Sequence, residues 1–400
     1  MVKQVNYRKR VIKEQKMKLL HVADLHIGKI VNEFSMLEDQ KYILEQILQT
    51  AIVQKVDAIL IAGDLYDRSI PPADAVAVFD HFLTRALEHR IKMMMIAGNH
   101  DSQERVSFLE NVLQAQGLFI SGVPKEELKT VRFPDAEIVL LPFCKPSQVQ
   151  CSTSEEAVRK LLSGYWEKEK EQAADEKKSR ILVTHYFVTD SGRDPELSDS
   201  ESTIHVGSLD NVDASVFEGF DYVALGHIHK KQQIGQRPIY YAGAPLKYSF
   251  GEAGSTKGML LVTVDEEGLK KVEELPLIPL HDMRKLKGTL QELLKQGREE
   301  GAKALDYVQA CLTDEGELID PMETLRSVYP NAMQIVRADR EEIQMEFDLR
   351  SVAGNGILQK RDAGSLFQDF YAEIREQDMT EEQLRYITGV IREAKERLEG

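Results

Sequence analysis

Long apolar runs, paired cysteines and an excess of positive charge are all missing from this chain of 400 residues. Its three cysteines, Cys144, Cys151 and Cys311, are an odd number with none of the spacing of a thiolate metal site. They read as reduced structural thiols, which suits a cytoplasmic protein. No apolar run reaches the ~18 residues that a membrane span needs. The opening stretch from Met1 to Lys16 is basic and lacks the apolar segment of a secretory signal. It is expected to be a disordered extension ahead of a start at Met17, with a nucleic-acid arm as the other reading. The formal net charge is −15, so the chain as a whole is not a polycation. Any contact with phosphates must come from a local basic patch or from bound metal. There is no internal repeat. Gly251, Gly254, Ser255, Thr256 and Lys257 have the look of a phosphate-binding loop. However, Gly258 stands where that loop needs Ser or Thr, so no ATP site is visible.

What is present is an ordered set of polar groups, each following a short apolar run. The set is Asp24–Leu25–His26, Gly63–Asp64, Gly98–Asn99–His100–Asp101, His185, and Gly226–His227–Ile228–His229. Carboxylate, imidazole and amide oxygen without thiolate is a mixture suited to two divalent cations and hydrolysis. Two such ions bring about +4 and Asp24 with Asp64 return about −2, leaving a phosphate-attracting centre of roughly +2 inside an acidic protein.

The runs Leu19–Ala23, Ala58–Ala62 and Met93–Ala97 read as buried strands. Between them lie helical patterns at Tyr42–Val53 and Ala73–Glu88, the latter opened by Pro71–Pro72. Alternating strand and helix implies right-handed βαβ units, an α/β class and a mainly parallel sheet. Leu118–Ile120, Glu137–Leu141, Ile181–Thr184, Tyr222–Leu225, Ile239–Ala242 and Met259–Val264 are closely spaced strands, expected in a second sheet stacked on the first. Residues 155–178 read as a charged helix and 189–200 as an exposed loop.

The organisation shifts near Pro276–Pro279. Three weaker strands, near His281–Lys285, Tyr307–Leu312 and Met333–Val336, alternate with two helices as a small βαβαβ unit. The expected domains are therefore 17–279 and 280–337, then a linker over 338–363 and a helix pair over 364–400. Each of those last helices opens with a capping box, Ser365 with Gln368 and Thr380 with Gln383. Their one-sided apolar residues either pack back on the chain or dock on another protein's helices.

Asp64 is placed to bridge the two ions. Asp24, His26 and His229 would complete one, and Asn99, His185 and His227 the other. His100 follows a ligand and is the candidate to stabilise or protonate the leaving oxygen. Asp101 is expected to hold the His100 imidazole, and Asp67 to orient a ligand or touch the substrate. Lys145, Lys230, Lys231 and Lys247 lie near strand ends and are candidate contacts for substrate phosphates. His21 and His281 stand outside the groups and read as structural.

The five groups resemble those of the calcineurin-like metallophosphoesterase superfamily. MKLLHVADLHIGK at Met17–Lys29, AGDLYDR at Ala62–Arg68, AGNHD at Ala97–Asp101, IHVGSL at Ile204–Leu209, ALGHIH at Ala224–His229 and YAGAPLKYSF at Tyr241–Phe250 narrow it. Together they resemble the SbcD-type nuclease subunits, bacterial counterparts of the Mre-eleven repair nuclease. The resemblance is firm from Met17 to about Pro279.

It implies a four-layer α/β/β/α sandwich with a small capping domain that contacts DNA. It implies a manganese-dependent nuclease with 3′-to-5′ double-strand exonuclease and hairpin endonuclease activity, serving repair, recombination and replication. The ligand set it implies is the one assigned above, with His100 catalytic. It implies a nuclease homodimer in contact through Ala73–Glu88 and Ser102–Leu113, and an SbcC-type coiled-coil ATPase bound by the last two helices. The location implied is cytoplasmic and nucleoid-associated. The alternative is a phosphatase or small-molecule phosphodiesterase, against which stand Asp101 and Ser69 in places where protein phosphatases carry Glu and Gly. A third reading is a DNA-end tether that scaffolds its partner, against which stands the complete ligand set.

Overall fold

The computed structural model describes residues 16–171, 178–197 and 210–337, together with Thr380, Gln383 and Leu384. The chain divides into two units, Met1–Ile335 and Val336–Gly400.

Two six-stranded sheets form the centre of the first unit. In the first sheet Met17–Val22, Ala58–Ala62, Lys92–Ile96 and Leu118–Ser121 run parallel. Gly258–Asp265 lies antiparallel against Met17–Val22, and Gly268–Pro276 extends the sheet as a hairpin partner. In the second sheet Ala136–Leu140, Ser179–His185, Tyr222–Gly226 and Ile239–Tyr241 run parallel. Short antiparallel strands, Lys129–Arg132 and Gln232–Gln233, close its edges. The expected division between the sheets needs correction. Leu118–Ile120 and Met259–Val264 belong to the first sheet because their backbones pair with Lys92–Ile96 and Met17–Val22.

Three apolar cores define the layers. Leu19, Leu60, Met94 and Ile96 meet Ile138, Leu140, Val183 and Ala224 between the sheets. On the outer face of the first sheet, helices Leu37–Gln54 and Ala73–Glu88 bury Ile43, Ile47, Phe79 and Phe82. The helix Ser154–Glu171 buries Val158, Leu161 and Leu162 against the second sheet. The order is α/β/β/α. Strands covered on both faces read as continuous apolar runs, which is why Ala58–Ala62 shows no alternation. Each large side chain so buried contributes about 1.5–3 kcal/mol relative to exposure.

The segment Ser102–Leu113, which the resemblance places at a homodimer contact, holds two short helices, Gln103–Val106 and Glu110–Leu113. Leu109 between them has φ 60°, which no helix accommodates.

The small βαβαβ unit has its own core of Leu293, Val308, Leu312, Leu325 and Tyr329. Met283–Gly288 and Tyr307–Leu312 pair in parallel, and Ala332–Arg337 completes the sheet. Thr289 and Glu292 form a capping box on the helix Leu290–Glu299. The unit is fastened to helix Leu37–Gln54 by buried Asp39, which accepts from the Tyr307 hydroxyl at 2.8 Å and the His281 backbone N–H at 2.9 Å.

Thr380 and Gln383 form the expected capping box, with bonds of 3.0 and 3.4 Å in the two directions. The extension over 1–15, the 338–363 linker, Ser365, Gln368 and the rest of the helix pair lie outside the described residues, as does the 204–209 motif. No helix among the described residues is long and apolar enough to cross a membrane.

Candidate metal centre

The parallel strands of both sheets deliver their carboxyl ends to one place. Asp24 and His26 follow Met17–Val22, Asp64 follows Ala58–Ala62, and Asn99 and His100 follow Lys92–Ile96. From the second sheet, His185 ends its own strand, and His227 and His229 follow Tyr222–Gly226. These turns are unusual. Asp24, His26, Asp64 and His227 all have positive φ, at 53°, 44°, 51° and 103°. Such conformations cost non-glycine residues of order 1–3 kcal/mol each and cluster at functional sites.

Two glycines let the turns close. A β-carbon on Gly98 would overlap Asp64 Oδ1 and the Asp64 backbone nitrogen. One on Gly226 would overlap the Ala62 carbonyl oxygen and crowd His185 Nδ1.

The seven expected ligands come together in two groups around Asp64. In one, His26 Nε2 lies 3.1 Å from His229 Nε2, with Asp24 alongside. In the other, Asn99 Oδ1 lies 2.9 Å from His185 Nε2 and 3.1 Å from His227 Nδ1. Asp64 Oδ2 sits between them, 3.7 Å from His26 Nε2 and 3.3 Å from His185 Nε2. Asp24, His26, Asp64, His185 and His229 are buried, while Asn99, His100 and His227 are half-buried and face the opening.

Burial and charge set the protonation states. Burial lowers His26 to about 3, and burial with the neighbouring His26 charge holds His229 well below its ordinary value. Both imidazoles are therefore neutral, as a ligand must be. His185 goes the other way. Burial lowers it, but the Asp64 and Asp24 carboxylates outweigh burial and bring it to about 9. Burial raises Asp64, but His185 and then His26 hold its carboxyl well below the usual range. His185 Nδ1 is 2.8 Å from the Ala62 carbonyl, which fixes the proton there and aims Nε2 at the site.

His100 is brought to the opening, edge-on to the His26 ring at 4.8 Å between centroids. Asp101 does not hold its imidazole. The Asp101 carboxylate is occupied by the backbone N–H groups of Leu65, Tyr66 and Gly98, at 2.9–3.0 Å, and so ties the Asp64 loop to the Asn99 loop. The Asp67 backbone carbonyl, 3.1 Å from His100 Nδ1, orients the imidazole instead. The Asp67 carboxylate pairs with Lys29 at 2.6 Å.

The four lysines differ. Lys145 is exposed, but Lys230 pairs with Glu196, Lys231 with Glu274 at 2.6 Å, and Lys247 with Asp282 at 2.8 Å. Three of the four are thus already matched with carboxylates. His229, Lys230, Lys231, Ser255 and Thr256 nonetheless line a cleft of about 480 Å³ beside the centre.

Sequence reasoning missed the residues that carry the ligand loops. Gln40 spans the Asp24–His26 turn, donating to the His26 carbonyl at 2.7 Å and accepting from the Gly28 N–H at 2.9 Å. The Tyr248 hydroxyl donates to the Leu25 carbonyl at 2.6 Å. Lys257 donates to the His229 carbonyl at 2.9 Å. Gln40, Tyr248 and Lys257 stand among polar or small neighbours and carry no local signal, since sequence alone does not connect them to a distant loop.

The donor set fits two divalent cations. Oxygen and nitrogen atoms of Asp24, His26 and His229, and of Asp24, Asp64 and His185, lie within 4.8 Å of one another, buried and convergent. His26 Nδ1 makes no hydrogen bond, and two imidazole nitrogens face each other at His26 and His229. That arrangement suits cation ligation better than a protein hydrogen-bond network.

Comparison with known proteins adds lineage to this geometry. Residues 17–231 match the calcineurin-like phosphoesterase family, and residues 279–375 match the family described as the Type 5 capsule protein repressor C-terminal domain. The chain is 30% identical over 375 residues to the SbcD subunit of nuclease SbcCD from Staphylococcus epidermidis, covering 92% of this chain and 96% of that protein. It is 30% identical over 383 residues to the protein of the same name from Staphylococcus saprophyticus, covering 94% and 98%. A dimetal phosphatase from Danio rerio is similar at a TM-score of 0.39 and 12% identity, over 65% of this chain and 98% of that one.

Proposed function

The chain belongs to the calcineurin-like phosphoesterases and, within them, to the SbcD family; from that membership we propose that it is a DNA nuclease subunit working with two divalent cations, manganese in preference. One observation carries the reading. Six candidate ligands from four other strand ends of two sheets converge around a seventh, the buried carboxylate of Asp64, which stands between His26 and His185. Asp24, His26 and His229 would hold one cation, and Asn99, His185 and His227 the other.

When bound, the cations supply Lewis-acid charge to the phosphate and bring the pKa of a water toward neutrality. The chain's own residues do the rest. Asp64 holds the two halves in register. His100, at the opening, donates a proton toward the departing oxygen and is aimed by the Asp67 carbonyl. The strand being cut runs along the cleft beside His229. The activities proposed are 3′-to-5′ exonuclease on double-stranded ends and endonuclease on hairpins, in repair, recombination and replication. The partners proposed are DNA ends, a second copy of this chain, and an SbcC-type coiled-coil ATPase held by the last two helices. The location proposed is cytoplasmic, at the nucleoid. The name of the relatives and the match over 279–375 support this assembly.

The test is cleavage of an end-labelled DNA hairpin with manganese, with magnesium and with chelator, beside Asp64→Ala. Products that need manganese and fall about 10³-fold or more in the variant are expected. Equal cleavage by Asp64→Ala would remove the two-ion reading.

A further inference from the structure

The segment from Tyr248 to Lys257 lies outside the ligand motifs, yet it touches two of the ligand loops. At its start, the Tyr248 hydroxyl bonds the Leu25 carbonyl, between Asp24 and His26. At its end, Lys257 Nζ bonds the carbonyl of His229 itself, at 2.9 Å. Lys257 is only 7% exposed, and its ion-pair partner Glu252 only 2%. Glu252 Oε1 also receives the Tyr248 backbone N–H at 3.3 Å and the Ser249 hydroxyl at 3.2 Å, which folds the segment back on itself.

This arrangement has a direction. Asp24 and His26 come from the first sheet, and His229 from the second. His26 and His229 hold their facing nitrogens 3.1 Å apart, and their loops belong to sheets with no shared strand. The Tyr248–Lys257 segment is a strut across that gap, beside the direct bond from the His227 backbone N–H to Asp24 Oδ1 at 2.9 Å, and its bonds reach the two loops that build one half of the centre. The other half is anchored elsewhere, with His185 at the end of its strand and its Nδ1 against the Ala62 carbonyl. A buried ammonium is also costly unless paired, and Lys257 is paired twice, to Glu252 and to a backbone carbonyl.

We infer that Lys257 and Glu252, with Tyr248, are positioning residues that set the occupancy of one cation only, the one between Asp24, His26 and His229. The inference rests on the two-ion reading above. Removing the strut lets His229 drift from the Asp24 loop and loosens one site, while His227, tied by its backbone N–H to Asp24 Oδ1 at 2.9 Å, stays with the other. Partners of this kind, one bond removed from ligands, change metal affinity by about 10–100-fold.

The experiment titrates manganese into the full chain, as wild type, Lys257→Met and Tyr248→Phe, by calorimetry and by the exchange-coupled electron paramagnetic resonance signal of a cation pair. The wild type is expected to bind two ions and give the coupled signal. Lys257→Met is expected to keep one ion at wild-type affinity, bind the other about 10–100-fold more weakly, and lose the coupled signal at limiting metal. Tyr248→Phe removes one hydroxyl and leaves the buried ion pair intact. It decides the matter if Lys257→Met does not fold, and the same one-site loss is expected. Two ions bound with unchanged affinities in the folded variants would overturn the inference while leaving the two-ion reading standing. Equal weakening of both ions would also overturn it, because that is what a general packing role predicts. A wild type that binds fewer than two ions would overturn both.

Discussion

The two halves of the centre face each other across Asp64 and are held by different means. The Asn99, His185 and His227 half is held by backbone. His185 is the last residue of a strand, its Nδ1 rests on the Ala62 carbonyl, and Gly98 and Gly226 let neighbouring turns press to contact. The Asp24, His26 and His229 half is held by side chains reaching to loop carbonyls, from Gln40, Tyr248 and Lys257. The difference also appears in charge. Burial lowers His26 and His229, while the Asp64 and Asp24 carboxylates raise His185 to about 9, so a cation there would have to displace a proton. A site built at the meeting of two sheets thus draws rigidity from the sheets where strands end in the ligand, and from added struts where loops must span the gap.

That contrast can be broken most forcefully at Gly98. Gly98→Ala places a methyl group on Asp64 Oδ1, so it should disturb both halves at once. Manganese titration should show neither ion, and phosphodiester hydrolysis should be lost. Two ions in this variant would mean that backbone contact does not hold the bridging carboxylate. Next comes His100→Ala, which stands at the opening of both halves. It should keep both ions by titration and lower turnover by about 10²–10⁴-fold. Loss of an ion would make His100 a ligand instead. Gln40→Ala sharpens the distinction, since Gln40 braces one half only. A single ion should weaken by about 10–100-fold, and unchanged affinity for both would show that the Asp24–His26 turn holds itself.

The smallest effect concerns His21, which lies between the sheets beneath both halves, within hydrogen-bond distance of Tyr222 and the Leu225 carbonyl. Burial lowers its pKa from 6.5 to about 3. The unfolded chain therefore takes up a proton below 6.5 that the folded chain refuses. The stability from neutral His21 is complete above 6.5 and is lost as pH falls toward 3. Each pH unit in that window costs up to about 1.4 kcal/mol. Denaturant unfolding at about pH 5 and about pH 7, either side of the unfolded value, should show a flatter pH slope in His21→Leu than in the wild type. An identical slope would show that His21 is protonated in the fold.

Much of this was legible in the chain. Ala58–Ala62 and Tyr222–Leu225 read as strands because residues buried on both faces leave an unbroken apolar run. The converging residues read out because strand ends need glycine where turns press together, and Gly63–Asp64, Gly98–Asn99 and Gly226–His227 mark those ends. Sheet membership is not legible for Leu118–Ser121 or Gly258–Asp265, because it is decided by backbone pairing with strands far away in sequence. Gly268–Pro276 leaves no apolar signature, being an edge strand with charged residues such as Lys270, Lys271, Glu273 and Glu274. Adjacency to His100 points Asp101 to the wrong partner, because adjacency says nothing of direction and the carboxylate turns toward three backbone N–H groups. Lys257 reads only as part of a failed phosphate loop, since its partners Glu252 and His229 are brought to it by the fold.

Four of the proposed ligands, Asp24, His26, Asp64 and His227, sit in backbone conformations that glycine adopts without strain. On the two-ion reading, cation ligation is what calls for side chains there. In a descendant relieved of that demand, these positions would be among the first to drift, and glycine would be the favoured direction because each replacement relieves about 1–3 kcal/mol of strain. The loss of activity in such a lineage would be recorded as a gain in robustness, and the route back would run uphill.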